Sequence, residues 1–209
     1  MADISAKPVN EVDLQSLKDR MKVISEADPS QYHNDFSLRR YLRAFKTVDA
    51  AFQTNKWRAE YKVTELTEEH PVIKDYLTKN KVKVLKHRDM QGRPVIYIPA
   101  KNHSANDRDI DELTQYIVYF LEEACKKCFE EIVDNLCIVF DLKDFGLSCM
   151  DYQVRLGVCL VINAPMLFTG CWAVIKGWLD ENTTSKVTFV YSDEELCKYL
   201  IPDILPDGI

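Results

Sequence analysis

The stretch from Leu160 through Lys186 constrains this chain most. Val158–Ile162 is an unbroken apolar run of strand length, the mark of a strand covered on both faces. Asn163 and Pro165 stop it. Met166, Leu167, Phe168, Trp172, Val174, Ile175, Trp178 and Leu179 then spread around most of a helix, with Lys176 the only charge before Asp180. A helix that faces one core needs about three or four apolar positions per two turns. This segment exceeds that. Either it is buried on all sides, or its second face meets something apolar that is not protein.

The rest of the chain supplies the frame. Residues 9–65 read as helical. Val12, Leu14, Leu17, Met21 and Ile24 fall near helical spacing, and Ala27-Asp-Pro-Ser30 breaks the pattern. Asp35 or Ser37 caps a second helix striped by Leu38, Tyr41, Leu42 and Phe45. Thr47 caps a third, with Ala51, Phe52, Trp57 and Tyr61 turned inward. From residue 81 the period shortens to that of strands. Residues 82–101 form a hairpin around Asp89-Met-Gln-Gly92-Arg93-Pro94, where Gly92 takes a positive φ. Residues 110–131 give a long helix with Leu113, Ile117, Phe120, Leu121 and Ala124 on one face, and Asn135–Leu142 a buried strand. The apolar strand and helix follow, and Lys186–Tyr191 is a last strand. Helices first, then strand–helix–strand alternation, predict an α/β fold with a mixed sheet.

Composition narrows the function. The net charge of −6 supplies no basic field for nucleic acid. The first residues hold no apolar signal core, and no run approaches the ~18 apolar residues of a membrane span, so the expected location is cytoplasmic. Seven cysteines then stay as thiols. Cys125-Lys-Lys-Cys128 has two-residue zinc spacing, but no second pair matches it, and no metal or cofactor is expected. No phosphate-binding glycine loop and no nucleophile elbow occur, so the chain does not read as an enzyme.

Several motifs, taken in order, resemble the CRAL-TRIO lipid-binding domain family. They are Leu38-Arg-Arg-Tyr-Leu-Arg-Ala44, Trp57-Arg58, Asp89-x-x-Gly-Arg-Pro94, Phe140-Asp141, Arg155-Leu-Gly157, Ile162-Asn-Ala-Pro165, and Leu179-Asp180 through Ser185-Lys186. The resemblance covers about residues 35–206. It implies a helical N-terminal bundle (residues 1–65), then a lipid-binding α/β domain (66–209) with a mixed, largely parallel five-stranded sheet and helices forming an apolar lipid pocket. The helix over 165–180 would be a movable gate. That accounts for its two apolar faces, one on the body and one over lipid or bilayer. The implied lipid-binding residues are Ile96, Ile98, Val139, Met166, Phe168, Trp172, Ile175 and Trp178. The partners implied are a hydrophobic lipid ligand, a transient membrane surface contact and, in a variant reading, a protein partner.

The chain departs from the family twice. Twelve residues, Lys143–Val154, separate the Asp141-Leu142 strand end from Arg155, where family members carry a crossover helix of several turns. Twelve can just return a chain for parallel pairing. The expectation is a truncated pocket wall, and a regulatory interaction module with a reduced or absent pocket is the alternative function. In phosphatidylinositol-binding members, an arginine and a glutamate join a Thr-x-x-Lys at the headgroup. Thr183 and Lys186 are retained here, but Phe45 and Val154 occupy the other two positions.

Overall fold

The computed structural model describes residues 8–45, 47–100, 109–128, 133, 135–143, 156–165, 168, 172, 176–177 and 181–206. It divides into two compact units, one of residues up to His70 together with 129–134, the other of Pro71–Cys128 and Asn135 onward.

The first unit is helical: α1 (Glu11–Ala27), α2 (Asp35–Phe45) and α3 (Val48–Glu60). Asn10 caps α1 by accepting from the Val12 N–H, and Thr47 caps α3 by accepting from Ala50. The cap of α2 is Asn34, whose side chain accepts from the Ser37 N–H at 2.9 Å, rather than Asp35 or Ser37. Asp35 is already helical, so the cap falls one residue earlier. Leu14, Leu17 and Met21 of α1 close against Leu38, Tyr41, Leu42 and Ala51. Trp57 departs from the inward reading: it is 44% exposed and stacks on Tyr61 at 4.9 Å.

The second unit carries α4 (Pro71–Thr78), β1 (Lys83–Arg88), β2 (Pro94–Pro99), α5 (Ile110–Lys126), β3 (Leu136–Asp141), β4 (Leu156–Ile162) and β5 (Val187–Val190). Among the described residues these strands form one sheet in the order β1-β2-β3-β4-β5. The β1–β2 pair is antiparallel and the others are parallel. The hairpin turn is held by Asp89. Its Oδ1 accepts from the Gln91 and Arg93 N–H groups and its Oδ2 from Arg93 Nε at 2.5 Å, with both side chains buried. Gly92 takes φ 79°, a region open to glycine at no steric cost.

Strand alternation sorts the sheet into two faces. Across one run the rows Ile96–Ile138–Cys159–Val187 and Ile98–Phe140–Val161–Phe189. Across the other runs Tyr97–Val139–Leu160. Leu196, Leu200 and Leu205, which follow β5, bury this second face together with Val95, Cys137, Val158 and Ile162. The first face takes α5, which packs on β1 and β2. Asp109 caps α5 by accepting from the Asp111 and Glu112 N–H groups.

The short crossover expected over 143–154 lies outside the described residues, apart from Lys143. β3 and β4 nonetheless pair in parallel.

Candidate functional site

The face under α5 holds a cavity of about 30 Å³. The sheet contributes Ile96, Ile98 and Ile138, with Val82 just before β1. Helix α5 contributes Ile117, Phe120 and Leu121, spaced i, i+3, i+4 so that they share one face. Every lining side chain is hydrocarbon. The volume is about a tenth of the ~300 Å³ at which small-molecule pockets begin.

Beside the cavity, on the same sheet face, Phe168 packs with Ala100, Leu142, Cys159 and Val161, and Trp172 lies against that cluster. The aromatic rings form a continuous series. Phe168 and Trp172 approach Phe189 at 6.0 and 5.5 Å, and Phe189 stacks on Tyr191 at 6.3 Å. Because β4 and β5 are parallel neighbours, the chain between them must cross the sheet. The contacts of Phe168 and Trp172 put that crossing on the α5 face. The surroundings are dry enough to act on a thiol: burial pushes Cys159 up to about 12.

The start of the crossover is pinned by a buried carboxylate. Asp141, 1% exposed, accepts from the Tyr97 hydroxyl at 2.5 Å, Asn163 Nδ2 at 2.9 Å and the Lys143 N–H at 3.0 Å. Asn163 holds φ 54°, a left-handed conformation that asparagine tolerates better than most residues. The network ties together the ends of β2 and β3 and the residue following β4.

The residues expected from sequence distribute as follows. Ile96 and Ile98 line the cavity. Val139 does not: it is buried on the opposite face against Leu160 and Val190. Its neighbour Ile138 takes the cavity position, because a one-residue step in a strand reverses the face. Phe168 and Trp172 lie on the cavity side. Met166, Ile175 and Trp178 lie outside the described residues, as does most of the helix expected over 165–180. Thr183 and Lys186 end one turn, the Lys186 N–H donating to the Thr183 carbonyl at 3.1 Å. The Lys186 carbonyl accepts from the Cys159 N–H at 2.9 Å, setting this turn at the entry to β5. Phe45, at the arginine position of the family pattern, is part of the helical core and stacks on Tyr41. Val154 lies outside the described residues. Val82, Ile117, Phe120, Leu121 and Ile138 are the lining residues that sequence reasoning missed. The stripe on α5 was visible, and the parity of Ile96 and Ile98 would have supplied the rest once strand pairing was known.

Among the described residues no helix is long and apolar enough to cross a membrane.

The sheet order, the hairpin with its buried Asp89–Arg93 pair and the helix-covered apolar face define a helix-and-mixed-sheet domain of a known kind. Residues 78–209, more than half of the chain, match the CRAL/TRIO domain family, and the chain belongs to that family. It is 33% identical over 198 residues to a CRAL-TRIO domain-containing protein of Schizosaccharomyces pombe, spanning 81% of this chain and 44% of that protein. It is 28% identical over 132 residues to the phosphatidylinositol transfer protein CSR1 of Eremothecium gossypii, spanning 56% of this chain and 30% of that protein. It is 26% identical over 208 residues to the Sec14 cytosolic factor of S. pombe, spanning 83% of this chain and 73% of that protein. The chain thus spans less than half the length of the first two of these relatives. The crystal structure of Sfh5 has the same fold at a TM-score of 0.67 and 14% identity, covering 91% of this chain and 83% of Sfh5.

Proposed function

We propose that this chain binds a hydrophobic lipid, a phospholipid or an isoprenoid-like molecule, on the α5 face of its sheet and carries it between membranes in the cytoplasm. The observation that carries this reading is the all-hydrocarbon lining from α5 and β2–β3, with the Phe168–Trp172 cluster beside it on the same sheet face. Membership of the CRAL/TRIO family and the names of two relatives, one a phosphatidylinositol transfer protein, support it. The process has no chemical step. Each lipid CH₂ withdrawn from water contributes about 0.8 kcal/mol, so a buried acyl chain stabilises the complex by itself.

In this reading the β4–β5 crossover is the gate. It starts beyond the fixed Asp141–Asn163 anchor and lies over the sheet through Phe168 and Trp172. Swinging it off the sheet merges its cluster with the 30 Å³ cavity into one apolar space. Trp172 then meets the membrane interface, where an amphipathic indole is favoured. Thr183 and Lys186, at the far end of the crossover, hold a phosphate, with lysine acting as a mobile point charge. The sequence carries Phe45 and Val154 where phosphatidylinositol-binding members carry an arginine and a glutamate, so selectivity for inositol headgroups is weak.

The small cavity favours one second reading, an interaction module with a reduced pocket. A vesicle assay separates the two. Labelled phosphatidylcholine and phosphatidylinositol in donor liposomes, with unlabelled acceptors, should show protein-dependent transfer of at least one lipid. A folded chain that transfers neither, and takes up no lipid from mixed liposomes, supports the interaction module.

A further inference from the structure

The thiol pair Cys125-Lys-Lys-Cys128 stands out in the sequence and is not among the residues lining the cavity. Cys125 lies in the last turn of α5, and Cys128 two residues beyond the helix end. The Cys128 N–H donates to the Cys125 carbonyl at 3.0 Å, and Lys127 between them has φ −88° and ψ −5°. The two cysteines therefore end a single hydrogen-bonded turn, a geometry that holds Cα atoms within about 7 Å. Disulfides span Cα separations of about 4.4–6.8 Å.

Side chains three apart on a helix have Cβ atoms about 5–6 Å apart, and a disulfide needs about 3.5–4.5 Å. The remaining ~1–2 Å of closure falls to Cys128, which is past the helical residues. Its sulfur is held by weak contacts, at 4.0 Å from the Ala124 carbonyl and 3.8 Å from the Asn135 carbonyl. Both thiols are half-buried, and Lys126 and Lys127 between them are exposed, so small oxidants reach the turn. Cys137 and Cys159 differ: both are buried within the sheet, and that burial pushes both thiols far up.

We propose that Cys125 and Cys128 form a redox-active dithiol that hydrogen peroxide closes to a disulfide at the C-terminal end of α5. One sulfur attacks a peroxide oxygen, the O–O bond breaks, and a sulfenic acid and water form. The second sulfur displaces the hydroxyl from the first, forming the S–S bond and a second water. Two thiols and one hydrogen peroxide thus give one disulfide and two waters, a two-electron oxidation of the pair.

The turn is where the cavity's wall helix is anchored. Arg88 at the end of β1 donates to the Lys127 carbonyl at 2.5 Å, and the Cys128 sulfur contacts the carbonyl just before β3. Closing the disulfide draws Cys128 from that contact. Leu121, one turn earlier, lines the cavity.

The test treats the full chain, fully reduced, with stoichiometric hydrogen peroxide, then alkylates with N-ethylmaleimide and maps peptides by mass. The proposal expects Cys125 and Cys128 to lose alkylation together, their peptide to become lighter by two hydrogens, and dithiothreitol to reverse both changes. Single Cys125→Ser and Cys128→Ser chains should instead leave a sulfenic acid on the remaining sulfur, trapped by dimedone. Two outcomes overturn it. One is full alkylation of both cysteines under conditions that oxidise the exposed Cys197. The other is oxidation of each sulfur separately to the sulfinic acid with no bridge.

Discussion

Replacing Asp89 by alanine should destabilise the sheet-bearing unit by about 3–5 kcal/mol, the range for a buried ion pair that loses one partner. The structure gives the reason. The Asp89 and Arg93 side chains are 0% and 4% exposed. Without Asp89 the Arg93 guanidinium is a buried charge with its Nε–H partner gone, and the Gln91 and Arg93 N–H groups lose their acceptor. The Arg93 N–H, left unsatisfied in a buried setting, costs about 1–3 kcal/mol, the exposed Gln91 N–H little, and the uncompensated charge more. The double variant Asp89→Ala/Arg93→Met removes that charge. It should therefore be more stable than Asp89→Ala alone, although it still lacks the turn acceptor. Urea unfolding followed by far-ultraviolet circular dichroism measures the loss, and hydrogen exchange of the β1 and β2 amides assigns it to this unit. A loss below about 1 kcal/mol for Asp89→Ala, or a double variant no more stable than the single, would refute the argument.

Three further outcomes are expected. Trp172→Glu should abolish lipid transfer between vesicles while unfolding stays cooperative, since Trp172 is only half-buried; undiminished transfer would remove it from the gate. Lys186→Ala should weaken binding to phosphoinositide vesicles selectively, because the turn to Thr183 is made by backbone; equal loss for all lipids, or none, would end the headgroup assignment. Burial pushes the Tyr116 phenol up from 10.0 to about 12, so its contribution to stability is full below pH 10 and is lost as pH rises toward 12. Alkaline denaturation of Tyr116→Phe should lack that component, and an unchanged profile would contradict it.

Local chemistry made much of the fold legible. The Asp89–Pro94 turn declared itself through Gly92 and Pro94, and α5 through its stripe of Ile117, Phe120 and Leu121. Alternating sheet faces were harder. In β3, Leu136–Val139 are all buried, so no polar residue marks which parity faces α5. The choice between Ile138 and Val139 is made by pairing with Ile96, a contact more than 40 residues away in the chain. Trp57 shows the reverse error: a large aromatic at helical spacing reads as core, yet it stacks on Tyr61 at the surface. The Asp141 network was missed because Tyr97, Asp141 and Asn163 come from three separate segments, and each alone resembles an ordinary residue in a strand or just at its end. Cavity volume is a residue of side-chain packing from several elements and has no sequence signature.

Native mass spectrometry with organic extraction of the chain purified from cells shows whether the α5 face of the sheet holds a lipid. A stoichiometric co-purified lipid is expected, and it should be lost when Phe120 and Ile138 are replaced by bulkier tryptophan in a chain that remains folded. A folded wild-type chain that is empty as isolated, and stays empty after incubation with mixed liposomes, would contradict that expectation.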